Sequence, residues 1–177
     1  MALLEVVTFP DDRLRRKCRP LTTVDDKIRT LASDMLETMY DDEGIGLAAP
    51  QVGLDIRLVV IDIPAEDGTQ KHNPLVLINP EIIAREGEVA STEGCLSVPE
   101  YTAEVKRAEK VTVKALDQNG VEQTYNADGL FAICLQHEID HLDGKLFIDY
   151  LSTLKRNMLR KRYSKLKKEQ QRAAAAR

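Results

Sequence analysis

Cysteine is scarce in this sequence, and long apolar segments are missing from it. The three cysteines, Cys18, Cys95 and Cys134, are an odd number at wide spacing, which suits a reducing compartment and argues against a disulfide framework. No apolar run approaches the roughly 18 to 20 residues that a membrane span needs. The N-terminal residues also lack the basic and then apolar pattern of an export signal. We therefore expect a cytoplasmic protein with no membrane segment.

Acidic and basic residues are distributed unevenly along the chain. Residues 155–177 contain ten of the 25 lysines and arginines but only one of the 29 acids, Glu169. Residues 1–154 therefore hold 15 bases and 28 acids, a net charge of −13 within a total of −4. The length of 177 residues and the 43% apolar content predict one domain. We place it at residues 1–152, followed by a basic helical tail at 153–177 that either contacts a polyanion or a membrane surface or forms a solvated helix face.

The hydrophobic pattern predicts three helices. Apolar residues three and four apart, from Ile28 onward, indicate an amphipathic helix that ends near Asp42. A second helix is predicted between Asp128, as its N-cap, and Gly144, which would end it. A third helix is predicted from Ser152 through the basic tail.

Runs of β-branched residues predict strands between the first two helices. Continuous runs indicate strands at residues 56–63, 75–80 and 82–90. Alternation on both sides of Asn119 and Gly120 indicates a hairpin whose register these two residues fix. Strands grouped between helices are typical of the α+β class. We therefore predict antiparallel or mixed β-sheets packed around the second helix, with an N-terminal amphipathic helix and a C-terminal basic helix.

The sequence QHEIDH at residues 136–141 contains two of the three histidines. Residues four apart lie on one face of a helix, so His137 and His141 can both bind one metal ion at about 2.0 to 2.1 Å. Glu138 lies beside them, within reach of a water on that ion, as the general base does in the HExxH pattern. The other interpretation is a helix with two surface histidines.

The rest of the second helix favours the metal site. Leu130, Ile133 and Cys134 fall on the same stripe as the two histidines, so we expect this face to point into the protein. A buried imidazole needs a polar partner. A metal would provide one, and a carboxylate such as Glu93 or Asp140 is a candidate partner for the other ring nitrogen of a ligand.

The third metal ligand has to come from outside this helix. Downstream, the place of a third histidine in the extended HExxH pattern is held by Phe147, and the one later glutamate, Glu169, lies in the basic tail. Upstream, Cys95 follows a glycine in the sequence EGCLS. Its thiolate would complete a set of one cysteine and two histidines with a fourth tetrahedral position open to water. An open position indicates catalysis.

Three separated blocks together resemble the signature motifs of the peptide deformylase family: GIGLAAPQ at 44–51, EGCLS at 93–97 and QHEIDHLDG at 136–144. Their order and intervals are similar to those of the family, and the resemblance extends over nearly the whole chain. It implies a bacterial, iron-type enzyme of the cytoplasm with an α+β fold. Such an enzyme removes the formyl group from the N-terminal formylmethionine of nascent polypeptides and releases formate.

The resemblance also implies a role for each motif residue. Three residues are the metal ligands by motif position: Cys95, His137 and His141. Glu138 is then the general base and later the general acid, while the side-chain amide of Gln51 and the backbone N–H of Leu96 stabilise the developing oxyanion. One divalent ion per chain is implied, Fe(II) in the working enzyme, although these ligands also suit Zn, Ni or Co.

Substrate-binding residues are predicted in the first motif and in the second helix, before the third motif. A peptide that binds as an added strand brings its backbone close to the protein, which suits Gly44 and Gly46. Ile45 and three residues of the second helix would line an apolar pocket for methionine: Leu130, Ile133 and Cys134. Many Gram-negative members carry an arginine where this chain has Thr102, so we expect the outer peptide contacts to differ.

Two other functions stay open from the residues alone. An HExxH metalloendopeptidase would share the metal and Glu138 but would need a longer cleft. A non-enzymatic, ribosome-associated metal-binding module would need a closed site with four protein ligands, and no obvious fourth ligand lies near the motifs. In similar bacterial deformylases the tail helix docks on the ribosome. The resemblance therefore implies that residues 153–177 contact ribosomal RNA phosphates or ribosomal protein, in a salt-dependent manner.

Overall fold

The computed structural model describes residues 2–69 and 71–176, so Met1 and Arg177, the ends of the two predicted segments, lie outside the described residues. Within these residues there are three α-helices: α1 (Asp26–Asp41), α2 (Gly129–Leu142) and α3 (Thr153–Ala175). The strands are β1 (Gly46–Ala48), β2 (Leu58–Ile61), β3 (Leu75–Glu86), β4 (Val89–Cys95), β5 (Val98–Arg107), β6 (Lys110–Leu116) and β7 (Glu122–Ala127). Short 3-10 helices cover Asp12–Arg15, Ala49–Val52 and Phe147–Tyr150.

The strands form two antiparallel sheets. Five strands make one sheet in the order β1-β2-β3-β6-β7, and β4 and β5 form a separate hairpin. Neighbouring strands are antiparallel in both sheets. The α+β class predicted from the sequence is therefore confirmed, in its antiparallel form. The short strand β1 lies at the edge of the larger sheet, next to the site described below.

The predicted strand boundaries are wrong between residues 75 and 90. One strand, β3, spans most of the region in which two were expected. The register of its pairing with β6 shifts around Asn79, whose positive φ of 52° is supported by side-chain hydrogen bonds to the backbone of Leu21. The strand ends before Gly87, whose φ of 70° suits glycine, so residue 89 begins a new strand instead of continuing the predicted one.

The predicted hairpin is confirmed, with one additional residue holding its turn. Strands β6 and β7 pair antiparallel and are joined by residues 117–121. Gly120 has a positive φ of 76°. The carboxylate of Asp117 accepts hydrogen bonds from the backbone N–H groups of Asn119 and Val121, at 2.8 and 3.1 Å. Asp117 and Gly120 therefore stabilise the turn together.

The three predicted helices are confirmed, and their ends lie within two residues of the predicted ones. Asp25 caps α1, because its side chain accepts a hydrogen bond from the N–H of Ile28. Ser152 caps α3 in the same way. After α2, Gly144 has a φ of 76° and lies against the backbone carbonyl of Arg15. Any side chain at Gly144 would collide with that carbonyl, so the glycine allows the chain to leave α2 at this point.

Helix α2 lies at the centre of the molecule. Its apolar side packs on the larger sheet in a cluster of buried residues: Ala132, Leu135, Ile139, Leu142, Val59, Ile61, Leu77 and Val113. Burial of each large aliphatic side chain contributes about 1.5–3 kcal/mol. His137, Glu138 and His141 are also buried, on the side of α2 that meets the β4–β5 hairpin.

Helix α3 packs on the body of the protein through one side. Leu159 and Tyr163 are buried in a second apolar cluster that includes Phe9, Val98 and Phe147. Most other α3 side chains are exposed. Across residues 2–69 and 71–176, no helix combines the length and the apolar character that crossing a membrane requires.

Candidate metal centre and active site

Three predicted ligand side chains meet at one point. His137 and His141 project from successive turns of α2, and their Nε2 atoms are 3.3 Å apart. Cys95, the last residue of β4, brings its Sγ to 3.4 Å from the Nε2 of His141. The three ligand atoms all lie within 4.8 Å of one another. The helix and the hairpin therefore bring one cysteine sulfur and two imidazoles into one group that fits a divalent transition-metal ion.

A buried network of ion pairs orients one of these imidazoles. Nδ1 of His137 lies 2.9 Å from the carboxylate of Glu93, which leaves Nε2 directed at the other ligands. Arg107 donates two hydrogen bonds to the same carboxylate, at 2.8 and 2.7 Å, and a third to Asp140 at 2.7 Å. Burial alone would raise the pKa of Glu93, but the hydrogen bonds from Arg107 and His137 lower it to about 2. Glu93 is therefore an anion that fixes the ring of His137.

Glu138 has the surroundings of a proton-transfer group. It is 4% exposed, and its Oε2 finds no hydrogen-bond partner within the part of the chain that the structure describes. Its Oε1 lies 3.8 Å from Nε2 of His137. Burial raises the pKa of Glu138 to about 7. An unpartnered buried carboxylate needs a polar partner, and a water or a substrate group at the metal centre would supply one.

Gly46 in β1 packs directly on Glu138. A Cβ built on this glycine would lie 2.9 Å from Cγ of Glu138 and 2.9 Å from Sγ of Cys134. Gly44 is similarly close to Leu96, at 3.0 Å from its Cδ1. The sequence predicts that both glycines allow the close approach of a peptide backbone. The close approaches seen here are instead to protein side chains, so the glycines first of all let β1 fit against α2 and the hairpin.

The Gln51 side chain is fixed between β1 and the metal centre. It is 1% exposed, and its Oε1 accepts a hydrogen bond from the N–H of Ala48 at 3.0 Å. Its Nε2 donates to Oγ of Ser97 at 3.1 Å and to Sγ of Cys95 at 3.4 Å. The amide donor is therefore held at the metal centre by two residues, Ala48 and Ser97, that the sequence argument did not identify.

An open cleft of about 730 Å³ ends at this centre. Most of the predicted site residues line it: Gly44, Ile45, Gly46, Gln51, Cys95, Leu96, Leu130, Ile133, Cys134, His137 and Glu138. Leu130 departs from the expectation that its stripe points into the protein, because it is 48% exposed at the first turn of α2. Cys134, one turn further along, is 5% exposed. The stripe therefore runs from the cleft mouth into the core.

Several residues of the site were not predicted. Arg107 orients Glu93, and Phe147 stacks on the ring of His137 with centroids 6.0 Å apart. Phe147 occupies the place where an extended HExxH motif would have a third histidine, so this position packs on the predicted ligand His137 and supplies no ligand atom itself. Thr102, which the sequence analysis connected with the outer peptide contacts, is exposed on β5 and lines the cleft.

The number of ligands decides the class of protein. Around Cys95, His137 and His141, the described residues include no fourth histidine, cysteine or carboxylate in the group. An ion held by three protein ligands can also bind water, which is the pattern of catalytic sites, whereas structural sites have four ligands. With Glu138 beside it, this site is of the kind found in metallohydrolases that have an HExxH helix.

Comparison with known proteins identifies the family within that class. Residues 3–157 match the family described as polypeptide deformylase, so the chain belongs to this family and is a hydrolase. It is 56% identical over 166 residues to the peptide deformylase of Alkalilimnicola ehrlichii, covering 94% of this chain and 92% of that one. The resemblance drawn from the three motifs is confirmed.

Solved structures agree with this assignment. A crystal structure of a peptide deformylase from Legionella pneumophila is 51% identical, with a TM-score of 0.86, and the match covers 97% of this chain and 99% of that one. The peptide deformylase from Ehrlichia chaffeensis in complex with actinonin is 42% identical, with a TM-score of 0.88, and the match covers 93% and 98% of the two chains. The fold and the family therefore agree over almost the whole chain.

Proposed function

We propose that this protein hydrolyses the formyl group from the N-terminal formylmethionine of nascent polypeptides, with a divalent ion held by Cys95, His137 and His141. The observation that carries this proposal is the convergence of the three ligand atoms within 4.8 Å beside the unpartnered Oε2 of Glu138, at the end of an open cleft. A metal bound there would lower the pKa of its water from 15.7 to about 7.

In this mechanism Glu138 moves the proton. It accepts one from the attacking water as the oxygen bonds to the formyl carbon, and it passes that proton to the nitrogen of the departing amine. The bond between the formyl carbon and this nitrogen then breaks, which gives a free N-terminal amine and formic acid, and the acid releases its proton to become formate. A carboxyl group with a pKa near 7 can accept and release a proton near neutral pH.

Two further groups would stabilise the formyl oxygen as it becomes negative. The side-chain amide of Gln51 is held by Ala48 and Ser97, so its N–H donors need no reorganisation during the reaction. The backbone N–H of Leu96 follows the ligand Cys95 directly in the chain. By analogy with other oxyanion holes, each donor contributes about 2.7 to 4 kcal/mol to transition-state stabilisation.

The substrate peptide would bind along β1. This strand is at a sheet edge, so a peptide can extend the sheet by backbone hydrogen bonds at Gly44 and Gly46. We propose that Ile45, together with three residues of α2, holds the methionine side chain: Leu130, Ile133 and Cys134. Thr102 at the cleft wall would give outer peptide residues a neutral contact.

Formate release tests this function. The protein loaded with metal is incubated with formyl-Met-Ala-Ser and with unformylated Met-Ala-Ser, and both formate and peptide products are measured. We expect stoichiometric formate from the first peptide and no cleavage of the second. Cleavage of internal bonds would instead identify a metalloendopeptidase, and the absence of formate would overturn the proposed function.

We further propose Fe(II) as the physiological ion. Thiolate and imidazole ligands accept Fe(II), Zn, Co and Ni, so the ligand set alone does not select one. Elemental analysis of protein purified without oxygen should give about one iron per chain, and exposure to air should remove activity. A zinc-loaded protein with equal turnover under the same conditions would overturn the assignment to iron.

We also propose that residues 153–177 bring the enzyme to ribosomes in the cytoplasm, where its substrate emerges, while residues 1–152 carry the catalytic groups. The exposed side of α3 displays Leu154 and Met158, 70% and 61% exposed, among its many bases.

Co-sedimentation with ribosomes tests this contact. A double variant, Lys161→Glu with Lys165→Glu, should bind ribosomes more weakly than the parent, and binding of the parent should fall as the salt concentration rises. The matched pair Lys106→Glu with Lys110→Glu, on exposed strand positions, should bind as the parent does. Equal binding of all three proteins would exclude α3 as the contact.

A further inference from the structure

Residues 95–100, which are the end of β4, the turn after it and the start of β5, form both part of the candidate metal centre and one wall of the cleft. This segment begins at the ligand Cys95 and continues through Leu96, Pro99 and Glu100, which all line the cleft. Glu100 has a φ of 61°, in the left-handed region that non-glycine residues seldom adopt. A residue persists in this conformation when its surroundings hold it there. The contacts behind this segment therefore determine the shape of the cleft wall.

Two hydrogen bonds hold the segment from the side that faces away from the cleft. The N–H of Phe9 donates to the carbonyl of Ser97 at 2.7 Å. The hydroxyl of Tyr163, in α3, donates to the carbonyl of Pro99, the residue directly before Glu100. Tyr163 is 4% exposed, and its ring meets the edge of Phe9 at a centroid distance of 5.9 Å. The ring that carries the donor is therefore fixed inside an apolar cluster, and the hydrogen bond itself is partly buried, which limits its replacement by water.

We propose that Tyr163 is a positioning residue for peptide binding: through Pro99 it holds the cleft wall at Glu100 in the shape that receives the residues following formylmethionine. Helix α3 is then part of the substrate site as well as the proposed contact for the ribosome. This inference rests on the proposed function. It assigns to the helix a second task, carried out by the side of α3 that faces the protein.

Removing only the hydroxyl of Tyr163 separates the effect of its hydrogen bond from the effect of helix packing. In a Tyr163→Phe variant the ring stays against Phe9. Leu159 keeps its place in the apolar cluster, and Nζ of Lys167 still donates to the carbonyl of Thr8 at 2.9 Å. Helix α3 therefore stays docked while its polar link to the cleft wall is lost.

The experiment compares the parent, Tyr163→Phe and the control Tyr125→Phe. Tyr125 lies on β7, where its ring packs on Phe131, and it does not line the cleft. Hydrogen exchange is followed in residues 97–102, and kcat and KM are measured with formyl-Met-Ala-Ser and with formylmethionine alone. Tyr163→Phe should exchange about three- to tenfold faster in this segment and raise KM for the tripeptide by a similar factor. The change in KM should exceed any change in kcat and be smaller for formylmethionine. The control should match the parent.

Each result has a distinct meaning. Unchanged exchange at residues 97–102 would show that Tyr163 does not hold the wall, and faster exchange with an unchanged KM would show a structural role only; either one overturns the inference but leaves the proposed function intact. An equal rise of KM for both substrates would also overturn it. If the parent protein released no formate from any formylated peptide, the proposed function would fail first and the inference with it.

Discussion

Gly46 and Glu138 are packed so closely that the position of the carboxylate depends on the absence of a side chain in β1. A Cβ on Gly46 would lie 2.9 Å from Cγ and 3.0 Å from Cδ of Glu138, closer than carbon atoms approach without displacement. Glu138 is 4% exposed and lines the cleft, so a methyl group on Gly46 would push its side chain toward the cleft and the metal ligands. The edge of the sheet thus sets where the proposed proton-transfer group lies relative to the metal ligands.

Gly46→Ala should therefore lower turnover without removing the metal. The new methyl group displaces Glu138 by a fraction of an ångström to about 1 Å, and such a misplacement can reduce kcat by about 100-fold. Formate release and metal content are measured together. Gly68→Ala is the control: its Cβ meets nothing within 4 Å, and the strain that its positive φ of 75° imposes on alanine is confined to a loop that does not line the cleft, so turnover should stay that of the parent. Equal activity of Gly46→Ala and the parent would mean that the contact does not position Glu138.

Glu138→Gln should abolish deformylation while metal content stays near that of the parent. The amide has the size of the carboxylate but cannot accept and return a proton, and loss of general acid–base catalysis typically costs about 10²- to 10⁴-fold. Cys95→Ala should instead lose the metal. Cys18→Ala removes a buried thiol outside the ligand group, so this variant should keep both its metal and its activity. Substantial turnover by Glu138→Gln would refute the assigned role.

Arg107→Leu should weaken metal binding as well as the fold. Arg107 and Glu93 are both almost fully buried, so loss of the guanidinium leaves an unpaired anion beside His137. Breaking a buried pair in this way costs about 3–5 kcal/mol, and loss of support behind a histidine ligand weakens metal binding about 10- to 100-fold. Chelator competition and thermal unfolding measure the two effects.

Arg107→Lys serves as the comparison, because it keeps the charge but cannot form the paired hydrogen bonds. We expect its metal affinity to lie between those of the parent and Arg107→Leu. If both variants lose stability but retain the affinity of the parent for metal, the network supports the fold and does not tune the ligand.

The parts of the site that the sequence could predict are those set by local periodicity. Two histidines four apart on a helix must share a face, so His137 and His141 could be assigned before any tertiary structure was known. How deeply each residue of that helix face is buried could not be predicted in the same way. Leu130 lies on that stripe yet is 48% exposed, because the first turn of α2 extends past the packed interior to the cleft mouth.

The contacts that support the ligands depend on residues distant in sequence. Arg107 lies two residues after the buried Val105 on β5, with the exposed Lys106 between them, and this alternation could have placed it on the inward-facing side of the strand. Its partners Glu93 and Asp140 are 14 and 33 residues away, so only the folded chain shows why a charged residue is tolerated there. The misplaced boundary after β3 had a similar origin, because the turn at Gly87 interrupts a run that looks continuous in β propensity.

Asp11 provides a prediction for acid stability. Its carboxylate accepts hydrogen bonds from the backbone N–H and from the guanidinium of Arg13, and it lies 3.8 Å from Nζ of Lys167 in α3. The hydrogen bond from the Arg13 side chain is the main cause that lowers the pKa of Asp11 from 3.8 to about 2. Because the pKa of Asp11 is lower in the folded state than in the unfolded chain, the charged carboxylate stabilises the fold fully at pH values above the unfolded pKa. This stabilisation is lost as the pH falls toward 2.

Urea unfolding of Asp11→Asn tests this. The variant should lose about 1 kcal/mol of unfolding free energy near neutral pH, a modest amount because the pair is partly exposed. The difference in unfolding free energy between the parent and Asp11→Asn should become smaller below about pH 4. If that difference stays constant down to the lowest pH at which the protein folds, the charge of Asp11 contributes nothing to stability.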